Sequence, residues 1–170
     1  MDSDKDMPED STQIGSDELL SEDDLRLPDS ASVLVRLHAV RAWLARRRDE
    51  ATIEVGEAAL KLQQAMSPAL EETRPRRRQR SEQETLLLGA QQALAAAQQR
   101  LQAYEDAEAL LEDCVAHTGG ERVLVEYYLA LEELVQNNAP DNQMEQTPWL
   151  SAVADVQHRI ERVGAPSEED

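Results

Sequence analysis

Apolar residues return every three or four positions along most of this chain. They run Val33, Leu37, Val40 and Leu44, then, after a change of phase at a group of arginines, Ala51, Val55, Ala58, Leu62 and Ala65. On a helix that spacing gathers them into one stripe, so the pattern predicts an amphipathic helix over about 30–66. Asp29 or Ser30 stands where a cap for its first turn is needed. Ser67 and Pro68 close it, because proline removes a donor and disfavours helix at the residue before it.

The clearest periodicity follows a basic linker, 68–80. Leu87, Ala90, Leu94, Ala97, Leu101 and Tyr104 occupy alternating heptad positions, and Leu111 and Val115 resume the series. They predict a long helix over about 81–117, opened by Ser81 with Glu84 three residues on as a reciprocal cap. Gly119 and Gly120 end it, since glycine takes the left-handed cap conformation freely. A third helix is expected over about 122–137, with Leu124, Tyr127, Leu131 and Leu134 on one face. After the breaker-rich stretch 137–142, Thr147 and Pro148 mark a fourth, over about 148–162, with Trp149, Val153, Val156 and Ile160 facing inward.

The fold class expected is therefore all-α: a long antiparallel helical hairpin or coiled coil, completed by two shorter C-terminal helices. Composition agrees, with no phenylalanine, only 3% aromatics, and an apolar set dominated by leucine and alanine. Alternating leucine with alanine lets helices approach closely. The same stripes could pair within one chain or between two copies, and sequence leaves both arrangements open.

Charge divides the chain further. The formal net charge is -18, and residues 1–28 oppose their acids only with Lys5 and Arg26. So few bulky apolar groups cannot offset the entropy of ordering, which predicts a disordered acidic tail at 1–28; 164–170 is a second acidic tail. Inside the first, Leu19 and Leu20 alternate with acids, the pattern of a segment that folds on a partner. Arginines cluster at Arg41, Arg46, Arg47 and Arg48, and again over 74–80, which includes Arg76, Arg77 and Arg78. The helix carrying the first cluster is basic and amphipathic, a form that suits a bundle helix with charged flanks better than a membrane-surface or groove-binding helix.

Candidate chemistry is sparse. Glu105, Asp106, Glu108, Glu112 and Asp113 fall on the polar side of the second helix, whereas an acid/base pair needs two carboxylates in contrasting environments. Cys114 and His117 stand one helical turn apart and Asp155 and His158 repeat the spacing, but no second cysteine or Glu-x-x-His motif completes a zinc or di-iron set. No catalytic, cofactor or metal residue is expected. With a single cysteine, no apolar run of about 20 residues and an acidic N-terminus unlike a signal peptide, the expected compartment is intracellular and cytoplasmic, or nuclear in a eukaryote.

These features point to a non-enzymatic scaffold, adaptor or assembly factor that acts through protein partners, including a second copy of itself. Its expected contacts are the seam residues Leu87, Leu94, Leu101, Tyr104 and Leu111, the arginines Arg76, Arg77 and Arg78, and Leu19 and Leu20. The alternative is a nucleic-acid-associated regulator using the 74–80 run. The acidic global field and the lack of aromatics among those arginines disfavour it.

Overall fold

The computed structural model describes residues 27, 30–67, 77–138 and 147–163, with side chains from 81 rather than 77 in the second helix. Among the described residues the architecture is all-helical: α1 (Val33–Met66), α2 (Arg77–His117), α3 (Val123–Asn138) and α4 (Pro148–Val163), with a 3-10 turn at Gly120–Arg122. The leading acidic segment with Leu19 and Leu20, Arg76, and the trailing acidic segment lie outside the described residues.

Ser32 caps α1: its hydroxyl accepts from the Val35 amide at 3.4 Å and its carbonyl from the Arg36 amide at 3.1 Å. The cap thus sits slightly later than the expected Asp29 or Ser30. The helix closes at Ser67, whose amide donates to the Gln63 carbonyl at 3.1 Å, one residue before Pro68.

The start of α2 differs more. It begins at Arg77, so Ser81 is not a cap but an interior residue whose carbonyl accepts from the Thr85 hydroxyl at 2.9 Å. Arginine is a good helix former, and repulsion between exposed like charges on a helix costs only a few tenths of a kcal/mol per pair. At the far end Gly120 adopts φ +70, the left-handed conformation expected of a glycine past a helix terminus. Thr147 caps α4 as its sequence predicts, its hydroxyl accepting from the Leu150 amide at 3.2 Å.

The two long helices form an antiparallel hairpin. At 34 and 41 residues they run about 51 and 62 Å at 1.5 Å per residue. The shorter helices pack on one half of it, α4 against both long helices and α3 against α2 and α4. Leu37, Val40, Trp43 and Leu44 of α1 meet Tyr104, Ala107, Leu111 and Cys114 of α2, Tyr127 and Leu131 of α3, and Val153, Val156 and Ile160 of α4 in one core. That core stops at Ala51 and Ala103. Beyond it, among the described residues, only Ala58 and Ala97 are buried, both in the seam between α1 and α2. The molecule is a four-helix body from which a two-helix arm continues.

Candidate interaction surfaces of the hairpin

Of the sequence-predicted contact residues, Leu111 and Tyr104 are buried in the body, and Leu101 packs partly buried against the same core. Tyr104 meets the Trp43 ring edge-on, with centroids 6.3 Å apart and planes at 83°, and the Arg47 guanidinium lies 5.3 Å from the Trp43 ring centre. Such aromatic contacts add roughly 0.5–1.5 kcal/mol beyond simple burial. Leu94 and Leu87 continue the seam into the arm, half-buried, with Leu87 lining an open depression beside Ala65 and Met66 at its tip. The seam is thus closed within one chain. Arg77 and Arg78 lie in the first turn of α2, away from the body.

Among the described residues, ion pairs cross the hairpin along its length. Arg41 makes a two-pronged contact with Glu112 at 2.8 and 2.7 Å, Arg48 reaches Glu108 at 2.6 Å, and Arg100 reaches Glu54 at 2.7 Å. All stand at the surface, where solvent screens them, so each adds little to stability and their main effect is on register. Of the first arginine group, expected to flank a bundle helix, Arg41 and Arg48 are occupied in this way, while Arg46 and Arg47 pair with Glu50 on the same helix. Asp106, among the carboxylates expected on the polar face, accepts from Gln102 Nε2 at 2.8 Å and from Trp149 Nε1 at 3.1 Å, tying α4 to α2.

Sequence spacing suggested a common direction for Cys114 and His117, and the fold separates them. Cys114 is buried in the core, where burial first, and Asp113 and Glu126 second, push its thiol up. His117 is exposed and its Nδ1 lies 2.9 Å from the Asp113 carbonyl. Among the described residues no cluster of three or more His, Cys, Asp or Glu side chains has the geometry to hold a metal ion. None of the described helices is long and apolar enough to cross a membrane.

Two buried arginines escaped the sequence reading. Arg36 and Arg159 are buried at the end of the body opposite the arm. Arg36 donates from Nε to the Ala31 carbonyl at 3.1 Å and from Nη1 to the Val163 carbonyl, joining the start of α1 to the end of α4. One signal existed: Arg36 stands one residue before Leu37 and four before Val40, beside the apolar stripe.

Tyr127 carries the largest electrostatic consequence. Its ring is fully buried, its hydroxyl donates to the Ala107 carbonyl at 2.9 Å, and burial, then Cys114 and Glu108, hold its phenol far above the ordinary tyrosine range. Burial also raises Tyr104, with Asp155 adding. A group raised in the folded state contributes its full stability below its unfolded pKa and loses it as pH climbs toward the folded value. Unfolded cysteine and tyrosine titrate near roughly 8.5 and 10. The urea midpoint should therefore hold level to about pH 8.5 and fall above it, most steeply beyond about pH 10. Tyr127→Phe should remove the largest part of the steep fall; a midpoint at pH 10.5 equal to that at pH 8 contradicts this account.

Five large apolar side chains on the arm face solvent: Ile53, Leu60 and Met66 on α1, Leu86 and Leu88 on α2. Ile53 and Leu60 are seven residues apart and share the face of α1 that points away from α2, with Glu57 and Gln64 beside them. No protein-family model matches the chain, and no match was found among curated proteins or solved structures.

Proposed function

We propose that this protein is a non-enzymatic helical scaffold, adaptor or assembly factor, and that the projecting arm is the part offered to partner proteins. The observation supporting the reading is the exposure of Ile53 and Leu60 on a helix whose opposite stripe is already closed against α2. A rigid helix presenting apolar anchors at one-turn or two-turn spacing, ringed by polar groups, suits helix-to-helix or helix-in-groove recognition. The body anchors the arm at its base. The net charge of -18 sets encounter rate and discriminates among partners, while apolar contacts supply the affinity.

The test compares the full chain with Ile53→Glu and Leu60→Glu, tagged and expressed in the native cell, by cross-linking and co-purification. Both positions are exposed, so helicity should be unchanged by circular dichroism. One or a few proteins should be enriched with the parent chain and lost with the two variants. Enrichment of nothing, or of the same set with the variants, rejects the reading.

A further inference from the structure

Charge is missing where the arm most needs it for solubility. Residues 85–99 contain no Asp, Glu, Lys or Arg, in a chain that is 31% charged. Fifteen residues make four turns, so no face of α2 carries charge over about 22 Å. Within this run stand Leu86, Leu87 and Leu88, which successive 100° steps point in three directions. A single partner helix can cover one of them. Leu87 turns toward α1, leaving Leu86 70% and Leu88 55% exposed.

The two flanks of the arm are not equivalent. The Arg100–Glu54 pair crosses one of them, and heptad spacing puts Leu86 and Ala93 on the Arg100 side and Lys61 on the Glu54 side. On the other flank α2 presents Leu88, Gln91, Ala95 and Gln98, and α1 presents Thr52, Ala59 and Met66. All seven are exposed. The only acid in those series at the arm is Glu84, at the tip. This flank is apolar and amide-lined.

We infer that this flank binds the same flank of a second copy, the two arms lying antiparallel about a two-fold axis near Gln91. This rests on the proposed role as an interaction protein and names one of its partners. Electrostatics favour a second copy here. Two chains of charge -18 repel wherever their charged surfaces meet, but this flank carries a single acid, Glu84 at the tip, well away from the middle of the overlap. Antiparallel overlap also sends the two charged bodies to opposite ends, about 50 Å apart at 1.5 Å per residue, many times the screening length of about 8 Å in physiological salt. A two-helix face about 30 Å long and 20 Å wide buries about 600 Å² per copy, the lower end of the range for specific association. Small alanine side chains at the contact let the helices close on one another. The expected complex is a reversible dimer with a dissociation constant in the low micromolar range.

Sedimentation velocity of the full chain from about 1 to 200 µM tests it, and the parent should shift from the 19.0 kDa monomer to twice that mass. Leu88→Glu and Ala95→Glu, each placing charge on the flank without touching the seam, should weaken association at least tenfold with the monomer's helicity retained. Should Leu88→Glu lose helicity, Ala95→Glu decides alone. Gln91→Cys in a Cys114→Ala background should cross-link between copies under mild oxidation, and Glu57→Cys should not. A parent that stays monomeric at 200 µM, or a dimer indifferent to both charged variants, overturns the inference. A monomer that still captures an Ile53-dependent partner overturns the dimer alone and leaves the proposed role standing; a dimer with no such partner does the reverse.

Discussion

Tyr127→Ala should cost about 3–5 kcal/mol, the range for deleting a large buried aromatic whose cavity cannot collapse. The ring is fully buried and is the largest of the side chains sealed completely from solvent. It enters from α3 against Ala107, Leu111 and Cys114 of α2, so its loss uncouples α3 from the hairpin. Domains of this size are stable by only about 5–15 kcal/mol, so the variant should lose much of its cooperativity margin. Urea unfolding followed by the fluorescence of Trp43 and Trp149, both of which pack on the body, reads it directly. Tyr127→Phe keeps the ring and removes only the hydroxyl's bond to the Ala107 carbonyl, a helix carbonyl, so it should cost roughly 0.5–1.5 kcal/mol. If Tyr127→Ala shifted the midpoint no more than Tyr127→Phe does, α3 would contribute nothing to the body and the described core would be wrong.

Arg36→Ala should cost about 2–3 kcal/mol. The guanidinium is buried and donates both to the Ala31 carbonyl and to the Val163 carbonyl at the end of α4. A bond from a charged donor to a buried carbonyl contributes more than a neutral one, and its removal also strips that carbonyl of a partner. Arg36→Lys should rescue little, because one ammonium on a flexible stem cannot reproduce a planar fork that reaches two carbonyls. Hydrogen exchange should localise the damage, with amides in the last turn of α4 exchanging faster in both variants while those of the arm are unaffected. Equal exchange across α4 in parent and Arg36→Ala would show that this arginine does not tether the helix.

Both changes act at places that neighbouring sequence describes unequally. Tyr127 belongs to the face Leu124, Tyr127, Leu131 and Leu134, which spacing alone assigns to the interior of α3, and the structure seals Tyr127 and Leu131 there. Arg36 reads as one of several arginines on a basic helix, and its burial is decided by a contact 127 residues away.

The heptad of α2, the stripe of α1, the Thr147 cap and the glycine stop after His117 were all legible, because each is an interaction within one or two turns of chain. Local signals failed where two competed. Ser81 and Glu84 have the form of a cap, but helix propensity in the preceding arginines carries α2 back to Arg77. What the sequence determined by itself was the number, order and inner stripe of the helices, since 3.6-residue periodicity and end chemistry are short-range. Only the tertiary structure decided that the stripes pair within one chain, that α3 and α4 cover just half of the hairpin, and that Arg36 and Arg159 go inside. It also decided that the uncharged flank of the arm stays open, because which side a neighbour occupies depends on contacts such as Arg41 with Glu112, 71 residues apart, that no local spacing encodes.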